Sequence, residues 1–221
     1  MGFTPITFNN TVSGGSSSTV AVTPAGSVSA GDFVFVHVVG DGIPTISVSD
    51  GTSSLSPLGQ ILRSDNGSVM QGFYLFSSVA TGSVTYTATF SFATTNRAIV
   101  VGVYTPTGAV TFDQGAAAET TGTSSGNSGN VTTIGSDDLA LGYSLAQDGG
   151  TASSMLLNSL SAANSNGSGG VYIWSRAFAS PFTGEAAFTN SGTASFIMTG
   201  IATFKIATTP TTDILHAASW M

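Results

Sequence analysis

Alternation with a period of two runs through most of the chain. In VTYTATF (84–90), Val84, Tyr86, Ala88 and Phe90 fall on one face and Thr85, Thr87 and Thr89 on the other. This is the pattern of a strand with one side in a core and one in water. FVFVHVV (33–39) is apolar on both faces, which predicts a central strand packed from both sides. GFYLFSSVA (72–80) and AIVVGVY (98–104) read the same way. The turn signals PAGS, GDG, SDG, DNG, ATG and PTG separate these runs. No stretch sustains a 3.6-residue period with charged caps, and only SDDLALG or ASSMLLNSL offers a short helical turn. The pattern predicts an all-β, antiparallel, jelly-roll-like β-sandwich.

Three blocks recur in the same order. AGDFVFVHVVGDG, GFYLFSSVATG and RAIVVGVY are followed by GSDDLALGYSLAQDG, GVYIWSRAFASP and FIMTGIATF. Gly72 aligns with Gly170, Tyr74 with Tyr172, Phe76 with Trp174 and Ser77 with Ser175; the same offset takes Gly102 to Gly200, and a longer one takes Asp32 to Asp138. Two sequence-related halves, about 12–110 and 130–207, are therefore expected. GAAAETTGTSSGNSGN (115–130) reads as a flexible connector or long surface loop between them. The halves form either two tandem sandwiches or the facing sheets of one. Domains of about 100 residues with four long strands bury little surface, which favours a single sandwich over 1–207.

Charge narrows the function classes. Of 221 residues only Arg63, Arg97, Arg176 and Lys205 are basic, against eleven acidic, for a net charge of −7. Four scattered cations cannot neutralise a run of phosphates, so nucleic acid is not an expected partner. The absence of cysteine removes disulfides and thiolate metal sites. Apolar residues make up 41%, enough for a core even though 64 residues are Ser or Thr. MGFTPITFNN has neither a basic residue nor an apolar h-region, and no apolar run approaches the roughly 20 residues of a bilayer span. A chain without secretory signal or membrane segment is the expectation. Sequons at Asn9, Asn66, Asn130 and Asn166 are what so Ser/Thr-rich a chain produces by chance.

Catalytic constellations are sparse. His37 shares a strand face with Phe33, Phe35 and Val39 and reads as a core or interface histidine with one hydrogen-bonded partner. With His216 so distant, a His-rich metal site is excluded. No G-x-S-x-G turn opens a helix. Glycoside chemistry needs two converging acids, but of the two glutamates Glu119 falls in the connector, away from Glu185. Asp137 and Asp138 are adjacent and would point to opposite faces of a strand, with Asp137 ending the loop before it. Asp41, Asp50 and Asp65 lie at Gly-containing turns, where a calcium ion is the alternative to plain turn chemistry. Trp174 alternates within a strand and reads as core. No enzyme, cofactor or metal is predicted.

The C-terminal segment, 208–221, follows the last strand and Pro210, and carries Ile214, Leu215, His216, Trp220 and Met221. It either folds back on its own sandwich or docks into a neighbouring subunit, and these five are candidate partner contacts. Phe3 and Phe8 near the N-terminus pose the same choice.

GDFVFVHVVGDG, then SPLGQILRSDNGSVMQGFYLFSSVATGSVTYTATFS, then RAIVVGVYTP resemble a domain of tailed-phage structural proteins and some bacterial surface proteins. The family's elements correspond to Gly31-Asp32, the Tyr74/Phe76 strand, Ala80-Thr81-Gly82 and Tyr104-Thr105-Pro106; Leu58-Gly59 stands where a G-W pair is frequent. The resemblance covers 12–110 and, through the repeat, 130–207 more loosely. It implies a β-sandwich in a virion or on a cell surface, with no activity to transfer. The expectation is a non-enzymatic capsid decoration or cement protein, made in the host cytoplasm and resident in the virion. Its partners would be the major capsid protein or another virion protein and further copies of itself, a trimer being favoured, with no membrane involved. A carbohydrate-binding module of a tail fibre, spike or surface protein, taking a surface glycan, is the alternative.

Overall fold

The computed structural model describes residues 2–13, 15–135, 137–147, 158–163, 169–179 and 181–207. The first half of the chain forms β1 (Phe3–Ser13), β2 (Ser17–Val22), β3 (Phe33–Asp41), β4 (Ile46–Ser49), β5 (Ser56–Pro57), β6 (Ile61–Leu62), β7 (Ser68–Leu75), β8 (Tyr86–Thr94) and β9 (Arg97–Pro106). The second forms β10 (Val110–Asn127), β11 (Val131–Thr132), β12 (Asp138–Gln147), β13 (Asn158–Ala163), β14 (Gly169–Phe178), β15 (Thr183–Gly184) and β16 (Ala187–Ile206). The fold is all-β, and no helix occurs among the described residues. SDDLALG, a possible helical turn by sequence, runs into β12; the last three residues of ASSMLLNSL lie in β13 and the others lie outside the described residues.

Two large antiparallel sheets carry the architecture, with paths β1-β9-β3-β7-β5 and β10-β16-β12-β14-β13; β6 also pairs with β7. Each path begins with the first strand of its half, followed by the last and then the third. The sheets face each other across one cluster to which both halves contribute, with Phe33, Phe35 and Met70 from the first and Leu141, Tyr143, Met198 and Phe204 from the second. Ring contacts cross it directly: Phe33 to Phe204 at 4.7 Å and Phe35 to Tyr143 at 5.6 Å. A small sheet, β2-β8-β4, covers the outer face of the first large sheet, and β11-β15 lies with the second. The result is four layers with three cores.

This layering explains why β3 is apolar on both sides. Phe33, Phe35 and Val39 enter the central cluster, while Val34, Val36 and Val38 meet Val20, Val48, Tyr86 and Phe90 of the small sheet. Both faces of the strand are withdrawn from water, as a central strand requires.

The ladders also set the register of the repeat. Asp32 and Asp138 each precede or open the equivalent strand, an offset of 106. Val39 then pairs with Met70 where Leu145 pairs with Val171, and Phe33 pairs with Tyr104 where Leu139 pairs with Phe204. Met70 therefore matches Val171, and Tyr104 matches Phe204. Aligning Gly72 with Gly170 by identity misplaces β14 by three residues and turns it over. Tyr74 packs on the central cluster, whereas Tyr172 and Trp174 face the outer one. Trp174 is 1% exposed and Phe76 is 37% exposed, so they are not structural counterparts.

The expected connector over 115–130 is instead most of β10, an 18-residue strand paired with β16 from Val110 to Asn127. Register breaks between Phe112 and Gln114 and between Thr123 and Ser125 bend it. Ala, Gly and Thr offer no large apolar alternation here, and pairing with β16 supplies what local propensity does not.

Candidate functional site

The polar residues singled out by sequence are engaged in building the scaffold. Asp32, 2% exposed, accepts from the Ser29 amide at 2.7 Å and from Thr105 Oγ1 at 3.0 Å, tying the loop before β3 to β9. Asp137 sits in the left-handed region at φ 66° and ends the loop, and Asp138 opens β12 fully buried. Burial pushes the Asp138 carboxyl above the ordinary range, while Thr133 draws it back. Asp50 accepts from the Thr52 and Ser53 amides and Asp65 from the Gly67 amide, each within its own turn, while Asp41 accepts from Asn96 in the turn between β8 and β9. Among the described residues no three His, Asp or Glu side chains gather as a metal site would require.

The cations are similarly occupied. Arg97, 3% exposed, donates to the carbonyls of Thr19, Gly15 and Thr94 and so anchors β2 and the end of β8. Arg63 pairs with Asp65 at 2.8 Å and lies over the Phe196 ring at 4.3 Å. Lys205 meets Asp113 at 2.8 Å, and Arg176 lies over Phe178.

His37 faces the central cluster with no exposure, 5.2 Å from the Tyr143 ring. Burial lowers its pKa to about 3, with the Tyr172 backbone pulling slightly upward. The polar contact of the imidazole is with the Tyr172 backbone, as expected of a core histidine with one partner. The imidazole is a neutral core group.

Of the candidate contact residues, Phe3 is 1% exposed and packs edge-on against Phe33 at 5.9 Å. It belongs to the chain's own core and is not open to a partner. Phe8 lies on β1 opposite Gly102, and its side chain is outside the described set. Ile214, Leu215, His216, Trp220 and Met221 lie outside the described residues.

What sequence reasoning missed is a cleft at one edge of the central layer. β10 is the outermost strand of its sheet, and Gly115, Ala117, Glu119 and Thr121 pair with Ala202, Gly200, Met198 and Phe196. Those partners place the four on the inner face, toward the first large sheet. Yet Gly115, Ala117 and Thr121 are exposed, because only the two-residue β5 and β6 stand opposite. A cleft of about 310 Å³ remains, lined by Leu58, Gln60 and Ile61 from the first half and by Phe112, Ala117 and Tyr143 from the second. At its far end Glu119 accepts from the Ser64 amide at 2.8 Å and from Ser64 Oγ at 3.2 Å, clamping the β6–β7 loop to β10. Near its other end a row of rings reaches the surface. Phe76 and Phe112 are 37% and 38% exposed, and Tyr74 lies 4.8 Å from Phe76 and 6.1 Å from Phe112. The lining is mainly apolar, with the Gln60 amide and the Tyr143 phenol as its polar side chains and no charged one.

Tyr143 holds its place because Gly200 leaves room for it. A Cβ at Gly200 would run into Tyr143 Cζ. Gly200→Ala is expected to cost about 2 kcal/mol by overpacking, read as a lower urea midpoint with unchanged slope.

No family model, curated protein or solved structure matches this chain.

Proposed function

We propose that the protein is a non-enzymatic structural component of a tailed-phage particle, decorating or cementing the capsid as a homo-oligomer, with a trimer favoured. The observation that supports this most is the character of the surface. The whole chain has 15 charged residues in 221, of which Asp32, Asp50, Arg97 and Asp138 are buried; its four cations are engaged internally, and apolar side chains such as Ile43, Phe76, Phe92, Phe112 and Ile134 are exposed. Such a surface suits hydrogen-bonded and apolar contacts between many copies, with little dependence on salt. The apolar C-terminal segment, 208–221, makes the contact with a neighbour in this reading. Deleting 208–221 should leave the sandwich folded by circular dichroism and abolish both self-assembly in light scattering and binding to undecorated capsids. A truncated protein that assembles and binds like the full chain would overturn the role of the segment.

The row Tyr74, Phe76 and Phe112 supports a second reading, a carbohydrate-binding module, since exposed rings stack on the apolar faces of sugars. A glycan array separates the two: a monomer that retains a sugar fits the second, and an oligomer that binds capsids without sugar fits the first.

A further inference from the structure

We infer that the cleft between β10 and the Leu58–Ile61 segment is the receptor for the apolar end, 214–221, of a neighbouring copy of this chain. The inference rests on the proposed role of the C-terminal segment and adds the surface that receives it.

Three observations carry it. First, the cleft is an interruption in an otherwise continuous core. Tyr143 is 3% exposed and belongs to the central cluster, but Gly115 and Ala117 on the same side lack the cover that their inward direction calls for. Small residues there leave room for side chains from outside, and the lining has no charge that an apolar guest would have to desolvate. Second, the chain supplies a fitting guest. ILHAASWM offers an indole, a thioether and two branched aliphatic side chains, and carries no charged side chain between Ile214 and Met221. Aromatic anchors in apolar pockets dominate most interfaces. Third, the exit of the chain is placed for exchange between copies. β16 runs along β10 past the cleft and ends at Ile206 opposite Val110, and the Ala207 amide donates to the Ala109 carbonyl. The described chain has thus passed its own cleft by Ala207, and in sequence Pro210 stands between that point and Ile214. The 14 residues from 208 span at most about 48 Å when extended, enough to reach an adjoining molecule. A tail-to-cleft contact is heterologous, and it closes into a ring when the rotation between copies permits.

The test uses the full chain, the 208–221 deletion, and two tryptophan variants on β10: Ala117→Trp, which fills the cleft, and Thr121→Trp, exposed on the same face beyond its lining. A fluorescein-labelled peptide of residues 208–221 is titrated into the truncated protein by anisotropy. Saturable binding is expected, weakened at least tenfold by Ala117→Trp and unchanged by Thr121→Trp. In the full chain, Ala117→Trp should convert the oligomer to monomer while Thr121→Trp leaves it intact. If Ala117→Trp assembles normally although the deletion does not, the segment acts elsewhere and the cleft assignment is wrong. If the full chain is a monomer that excludes the peptide while the truncated protein takes it, the cleft holds the chain's own end and the exchange between copies is overturned. If the deletion assembles normally, the underlying role of the segment fails and the inference falls with it.

Discussion

Phe204→Ala is expected to destabilise the protein by about 4 kcal/mol, in the range of buried phenylalanine truncations. Phe204 is fully buried, and its ring lies 4.7 Å from Phe33, 6.1 Å from Phe35, 5.4 Å from Tyr74 and 5.7 Å from Phe112. Three of those partners belong to the first half of the chain, so the cavity opens in the core that joins the two halves. The loss should therefore appear in both large sheets together. Hydrogen exchange would show protection falling equally in β3 and β12, and urea unfolding would stay a single transition. Phe92→Ala, at a site 48% exposed, is the control and should shift stability by under about 0.5 kcal/mol. Loss of protection confined to β12 and β16 would show that the halves are energetically separate.

Acid should act chiefly through His37. Its folded pKa of about 3 lies below its ordinary 6.5. A depressed folded value means that the native state refuses a proton the unfolded chain accepts. The stabilisation is therefore complete above pH 6.5 and is lost as pH falls toward 3. Across that window the linkage amounts to roughly 5 kcal/mol, a large share of the stability of an ordinary domain. His37→Leu keeps the bulk, removes the titrating group and should flatten the decline, leaving the slope due to carboxylates. At pH 7 the variant should lie within about 1.5 kcal/mol of the wild type, because the group removed is neutral there and the replacement has similar volume. Urea midpoints at pH 7, 5 and 4 for both proteins provide the comparison. Parallel declines would show that the imidazole is reached by water or protonated without cost.

Strand positions were readable wherever the side chains are large. Alternation at 84–90 marks the half-covered β8, and the unbroken apolar run at 33–39 marks β3, because burial on one face or two is written directly into side-chain polarity. The recurrence of blocks was also readable, but its register was not. Matching Gly72 to Gly170 follows residue identity, whereas the sheets preserve facing direction, and a shift of three residues reverses every side chain of β14. β10 escaped because Ala, Thr and Gly have neither strong propensity nor a period, and its partner β16 lies some 80 residues away at mid-strand. Phe3 could be read from sequence as core or as a partner contact, and its seat beside Phe33 places it in the core. The cleft had one faint signal, a run of small residues at Gly115–Ala118, of which Gly115 and Ala117 prove to face inward. A missing cover is a property of the opposite sheet, and no local pattern on β10 announces it.

The shared central core has a consequence for synthesis. Phe33, Phe35 and Met70 are made long before the residues that cover them, since Tyr143 and Phe204 come about 70 to 170 residues later. At roughly 5–20 residues per second, the interval between Tyr104 and its counterpart Phe204 is about 5–20 s. For that time the inner face of the first sheet is a bare apolar surface on a nascent chain. Crowded ribosomes making many copies would bring such faces together, so the yield of native protein should depend on translation speed and local concentration as much as on the stability finally reached.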